Sequence, residues 1–345
     1  MKAAYFEQFK APIRVVNLPD PSPGPDDVVI RVQATGLCRS DWHGWQGHDS
    51  DVQLPHVPGH EFAGTVAAVG KNIRRWRSGD RVTVPFCVGC GSCPQCQAGQ
   101  QQICDDYFQP GFTAWGSFAE LVNIRHADHN LVRLPDTMAF STAAVLGCRF
   151  VTAYRGVTAQ GRLQGGEWVA VHGCGGVGLS AIMIAAAFGA QVIAIDIDAE
   201  KLAFAQKIGA VAGINARETT DVPAAVKTLS GGGSHLSIDA LGSRETCRNA
   251  ILGLRKRGRH VQLGLLLGQE ANPEIPMGAV ISNELEIIGS HGMQAHQYPS
   301  MLQLIAAGKL RPDLMLGKTV DLETGARELM DLDSFRNLGV TVIGF

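Results

Sequence analysis

Residues 167–196 read EWVAVHGCGGVGLSAIMIAAAFGAQVIAID, and the fold is decided here. Glu167–His172 is a short apolar run with branched side chains, as a buried strand requires. Gly176–Phe188 is apolar, rich in alanine and long enough for a helix, and Gln191–Asp196 is a second strand. Between the first strand and the helix stands Gly173-Cys174-Gly175-Gly176-Val177-Gly178, which fits G-x-G-x-x-G. The first glycine of such a turn permits the sharp reversal, the second lets a pyrophosphate approach the backbone, and the third lets the helix close on the strand. Free N–H groups and the positive dipole end of the helix favour phosphates. A glycine-rich turn alone also occurs in α/β proteins that bind no dinucleotide. Context adds to it: Asp196 closes the next strand, 18 residues after Gly178, near the spacing of roughly 20 expected of a ribose-binding acid. A carboxylate there accepts hydrogen bonds from ribose hydroxyls and repels a 2′-phosphate, which favours NAD over NADP. Asp198 is better placed to cap the next helix, Ala199–Ile208, and Gly209 suits its C-terminal end.

Working outward, further strands fit Leu236–Ala240, Arg259–Gly264 and Leu285–Ser290, with helical stretches between. Strands alternating with helices predict a parallel, doubly wound sheet, a Rossmann domain. The first 150 or so residues differ in texture. They are irregular, rich in Gly, Pro, Cys and His, with short strands at Asp27–Gln33, Phe62–Val69 and Asp80–Val84, which predicts a mostly β domain. After about Gly289 the pattern loosens again. The organisation is therefore α/β in two domains: residues 152–289 form the Rossmann unit, and residues 1–151, completed by 290–345, form the other.

A length of 345 residues agrees with two domains. Thirty basic residues against 32 acidic ones leave a net charge of −2, which gives no reason to expect a nucleic acid or an anionic membrane as partner. No uninterrupted apolar run reaches the roughly 18 residues of a membrane span, and MKAAYFEQFKAPIRVV lacks an export leader's apolar core. The reading is a soluble, cytoplasmic protein. In that compartment cysteines point to metal rather than to disulfides. Four of the nine, Cys90, Cys93, Cys96 and Cys104, form C-x2-C-x2-C-x7-C. Four thiolates can enclose one Zn²⁺ tetrahedrally, a closed structural site. An iron–sulfur cluster is the alternative, but the C-x3-C-P ending of bacterial clusters is missing. Cys38, His60, Glu61 and Cys148 are dispersed. Taken singly, the two cysteines also fit buried small apolar side chains and His60 a core histidine, and spacing alone does not unite them.

Together these segments resemble the zinc-containing medium-chain alcohol dehydrogenases, over essentially the whole chain. The most specific stretch is Gly59-His60-Glu61-Phe62-Ala63-Gly64 followed by Gly70 and Ile73. The resemblance implies a GroES-like catalytic domain whose Cys38, His60 and Cys148 bind a catalytic zinc, with Glu61 close behind and able to exchange onto the metal. It implies that Asp41 holds His60, that Arg39 contacts the cofactor pyrophosphate, and that Ser40 and His43 carry the substrate proton to solvent. It places Thr152, Leu263 and Leu265 near the nicotinamide and Lys201 beside Asp196 on the ribose. Phe86 occupies a pocket-wall position, with Trp45 and Trp115 as further candidates that ordinary core packing explains equally well. The implied activity is reversible, NAD-dependent oxidation of primary or secondary alcohols with two zinc ions per subunit, in a homo-oligomer, a tetramer rather than a dimer. A polyol or amino-alcohol dehydrogenase is the neighbouring alternative, against which Cys148 argues, and a non-catalytic NAD- or zinc-binding protein the distant one. Arg149 and Cys87 depart from the pattern without an assigned role, and Arg336 lies near a C-terminal arginine of the family.

Overall fold

The computed structural model describes residues 1–332 and 339–345; Arg336 falls outside them. The chain divides into two compact units, one of Met1–Val151, Gly292–Leu302 and Pro312–Phe345, the other of Thr152–His291 and Gln303–Arg311.

The first unit carries β1 (Lys2–Tyr5), β2 (Arg14–Asn17), β3 (Val28–Gly36), β4 (Phe62–Val69), β5 (Arg81–Thr83), β6 (Leu121–Ile124) and β7 (Val132–Arg133). Within it β3 and β4 pair antiparallel, from Val28 opposite Val69 to Thr35 opposite Phe62. Alternation along β3 puts Val28, Ile30 and Val32 into one core with Phe62, Val66, Val82 and Val84, as a half-buried pleated surface requires. The short helix Arg39–Trp45 leaves the end of β3 at once, so Cys38 stands at a strand-to-helix corner.

The second unit carries β8 (Trp168–His172), β9 (Gln191–Asp196), β10 (Ala210–Asn215), β11 (Ser234–Asp239), β12 (Leu254–Gln262) and β13 (Glu286–Gly289). They form a parallel sheet in the order β10-β9-β8-β11-β12-β13. Val169, Ala170 and Val171 are fully buried, as are Val192, Ile193 and Ala194, because helices cover both faces of such a sheet. The strand order reverses between β8 and β11, and ligands of open α/β sheets bind at that switch point, outside the carboxyl ends of the strands.

The last strands, β14 (Leu316–Val320) and β15 (Val340–Gly344), return to the first unit, where β15 pairs antiparallel with β3. Two expectations shift. The helix Tyr298–Ala306 gives its first residues to one unit and its last to the other, which a single boundary at residue 290 does not capture. β12 begins at Leu254 rather than Arg259, since its polar opening LRKRG hides a strand whose register shifts between the Ser234 and Leu236 pairings. Arg257 in that opening has φ +60°.

Candidate functional site: a buried cysteine–histidine cluster

Asp41 organises the site. One carboxylate oxygen accepts the Cys38 N–H at 3.1 Å, closing the first turn of the helix Arg39–Trp45. The other accepts the Gly59 N–H at 3.0 Å and pairs with His60 Nδ1 at 2.7 Å. Gly59 has φ +106°, and a Cβ there would lie 2.4 Å from the Phe118 ring, so the tight turn before His60 needs glycine. With Nδ1 taken by Asp41, His60 Nε2 is left buried without a hydrogen-bond partner. One ligand atom each from Cys38, His60, Glu61 and Cys148 lies within 4.8 Å of the others. Burial opposes charge on the His60 ring, but the Asp41 carboxylate outweighs it and the pKa is raised. The hydrogen bond between the two sulfurs lowers Cys38 and raises Cys148. Two soft sulfurs sharing a proton beside an unpartnered imidazole nitrogen are a donor set that fits Zn²⁺, with a carboxylate behind the histidine fixing its tautomer.

Cys148 reaches this place because the helix that ends at Val145 is broken at Gly147, whose φ and ψ of −6° and −116° are not helical. A Cβ on Gly147 would stand 2.4 Å from Glu61 Cβ. Glu61 itself is fully buried, and its Oε1 accepts the N–H groups of Cys148 at 3.1 Å and Arg149 at 3.2 Å. Arg149 Nε donates to the same oxygen at 2.9 Å and Arg149 Nη2 donates to Oε2. Burial pushes Glu61 up to about 7 against the pull of Arg149. Phe86 and Phe112 meet the His60 ring edge-on, with centroids 6.1 and 5.3 Å away.

The second cluster, Cys90, Cys93, Cys96 and Cys104, also brings its four sulfurs within 4.8 Å. Backbone N–H groups point at sulfur throughout: Cys93 N at Cys90 Sγ at 3.3 Å, Cys96 N at Cys93 Sγ at 3.4 Å and Cys90 N at Cys104 Sγ at 3.2 Å. Donors from Ser92 bring Cys90 down to about 6, whereas burial pushes Cys96 up to about 12. Four thiolates this close need a cation to hold them, and a Cys₄ set leaves no position for substrate.

In the second unit the glycine-rich turn joins β8 to the helix Gly176–Ala187. Gly178 is obligatory, since a Cβ would lie 1.7 Å from the Gly173 carbonyl oxygen. A Cβ on Gly175 would meet nothing within 4 Å. Open space at that position is the approach a pyrophosphate needs. Asp196 Oδ2 accepts the Cys174 N–H at 2.6 Å, which holds its carboxylate against the turn. Asp198 caps the next helix through the N–H groups of Glu200 and Lys201.

The remaining sequence candidates are placed as follows. Arg39 is exposed with its guanidinium 5.2 Å from the Trp42 ring centroid, and Ser40 is half-buried beside it. His43 Nδ1 lies 3.1 Å from His48 Nδ1, and burial together with Arg39 brings its pKa down to about 4. Thr152 Oγ1 is buried and unpartnered. Leu263 is buried and Leu265 exposed. Trp45 packs in a core with Val52 and Phe112 and donates to the Ala11 carbonyl at 2.8 Å, while Trp115 is exposed, donating to the Pro55 carbonyl at 3.1 Å. Phe112 and Asp239 escaped the sequence reading. Buried Asp239 accepts the N–H groups of Leu241 and Gly242 at 3.0 and 2.9 Å, shaping the loop after β11. The available signal was the acid that closes the strand Ser234–Asp239, followed by Ala240-Leu241-Gly242.

Residues 24–136 match the alcohol dehydrogenase GroES-like domain and residues 176–307 the zinc-binding dehydrogenase domain. An alcohol dehydrogenase of Geobacillus stearothermophilus is 34% identical over 314 residues, covering 90% of each chain. An NAD-dependent alcohol dehydrogenase of Sulfurisphaera tokodaii is 32% identical over 352 residues and 99% of each chain. Among solved structures, an alcohol dehydrogenase of Thermus sp. ATN1 superposes with a TM-score of 0.91 at 31% identity, covering 100% of this chain and 99% of that one. The chain belongs to the zinc-containing medium-chain alcohol dehydrogenase family.

Proposed function

We propose that this chain is an NAD-dependent zinc alcohol dehydrogenase that interconverts primary or secondary alcohols with aldehydes or ketones. The observation that carries the proposal is the unpartnered Nε2 of His60 facing the paired sulfurs of Cys38 and Cys148. When bound, zinc supplies a Lewis acid for the substrate oxygen and NAD supplies the acceptor for a hydride. Cys38, His60 and Cys148 hold the metal, and Asp41 fixes the tautomer that leaves Nε2 free to do so. Phe86 and Phe112 shield the histidine from water. Ser40 takes the proton of the alcohol and passes it outward, and neutral His43 receives it near solvent. In the second unit the turn Gly173–Gly178 cradles the pyrophosphate, with Asp196 and Lys201 on the adenosine ribose. Arg39 contributes to the phosphates, and Thr152, Leu263 and Leu265 border the nicotinamide. The alcohol loses one proton and one hydride, so NAD is reduced as the carbonyl forms.

Cys38→Ser and His60→Ala are expected to lose alcohol oxidation, and their zinc content to fall from about two per chain to about one, because the Cys₄ site survives. The absorbance of reduced nicotinamide reads the first outcome, and metal analysis, with circular dichroism to check the fold, reads the second. Full activity, or two retained zinc ions, in either variant would exclude the assignment.

A further inference from the structure

Arg149 follows a zinc-binding cysteine, where a bulky cation is unexpected, and the structure surrounds it with deliberate room. A Cβ on Gly36 would lie 2.7 Å from Glu61 Oε2 and 3.2 Å from Arg149 Nη2, and one on Gly147 would collide with the Glu61 stem. The guanidinium side chain is only 14% exposed and the Glu61 carboxylate not at all. Their contact is a two-pronged one, Nε to Oε1 and Nη2 to Oε2, the geometry that makes an arginine–carboxylate pair both strong and directional. Two backbone N–H groups, of Cys148 and Arg149, complete the acceptor capacity of Oε1. Glu61 is nevertheless close enough to group with the three other ligands.

Resting on the zinc reading above, we infer that Arg149 is a positioning residue that clamps Glu61 and keeps its carboxylate out of the metal's coordination sphere. To reach the metal, Glu61 would have to give up both prongs of the fork and strand a guanidinium that is only 14% exposed. The catalytic set of this chain is therefore held at Cys38, His60 and Cys148 with the fourth position reserved for substrate. Glu61 serves as the counter-charge to Arg149. The exchange of Glu61 onto the metal that the resemblance implies is suppressed here.

The test loads cobalt(II) in place of zinc and records visible absorption, whose band positions and intensity report the number and kind of donors. Subtracting the spectrum of His60→Ala, which keeps only the four-cysteine site, isolates the catalytic metal. Glu61→Gln is expected to leave the wild-type bands in place. Arg149→Gln is expected to shift them and to lose d–d intensity as a carboxylate oxygen joins, and the double variant Arg149→Gln/Glu61→Gln to regain the wild-type bands. A merely structural role for Arg149 predicts no such rescue. Bands unmoved in Arg149→Gln, a shift that persists in the double variant, or bands moved by Glu61→Gln alone would each overturn the clamp. Should Arg149→Gln not fold, Arg149→Lys, which keeps the charge but loses the two-pronged fork, takes its place in the same single and double comparisons. Absence of any catalytic-site signal in the wild type would overturn the zinc reading and the clamp with it, whereas a signal that fails only the Arg149 comparisons overturns the clamp alone.

Discussion

His60 has a free ring nitrogen because Asp41 has claimed the other one, and Asp41 is available because it also closes the turn that begins at Cys38. One carboxylate thus links two residues of the cluster that lie 22 positions apart in sequence. His43, on the outer part of the same helix, is held neutral down to about pH 4. A base that is already neutral can accept a proton throughout the physiological range, so no loss of activity from His43 protonation is expected until pH falls toward 4. His43→Ala is expected to slow alcohol oxidation at pH 7 by roughly 10²-fold, the lower end of the effect of general acid–base groups. Added imidazole should restore part of the rate, and an unchanged rate without imidazole would remove His43 from the proton path. At this scale Cys38, His60, Glu61 and Cys148 were legible only through the resemblance to the family, since spacing alone does not unite them; the structure gathers their ligand atoms within 4.8 Å. The sequence was silent on Arg149 and Phe112, because what each touches is set by long-range folding, Arg149 across 88 positions to Glu61.

Among the elements, the parallel sheet was the most legible, since β8 and β9 are apolar runs and Asp198 caps the helix that follows β9. Gln191–Asp196 is observed at the residues its pattern predicts. What sequence periodicity missed were interruptions: the break at Gly147 that delivers Cys148 to the site, and the irregular opening of β12. β8 carries a further consequence at its end. His172 is buried with its Nε2 unpartnered, and burial aided by His260 holds it down to about 3 from an ordinary 6.5. The folded chain refuses a proton that the unfolded chain accepts below 6.5. The sign follows: stability is full above pH 6.5 and is lost as pH falls toward 3, at up to about 1.4 kcal/mol per pH unit from this residue. Urea unfolding of His172→Gln should show a shallower decline between pH 6 and pH 4 than the wild type. Parallel declines would mean that other groups set the acid sensitivity.

For the whole molecule, the sequence places the doubly wound unit inside the chain, and the structure returns β15 to the sheet of the first unit, against β3. That return is invisible to local pattern, because β15 is a short apolar strand like many others and its partner lies more than 300 positions earlier. Family membership shows the architecture and the dehydrogenase class; zinc, NAD and the alcohol belong to the proposed function. Among the described residues no helix is long and apolar enough to cross a membrane. The most direct test is turnover by the zinc-loaded protein with NAD and a panel of primary, secondary, benzylic and polyol substrates, followed by the near-ultraviolet absorbance of reduced nicotinamide. Reduction of NAD by simple alcohols, abolished in His60→Ala, is the predicted result. No reduction of NAD or NADP with any member of the panel would contradict it.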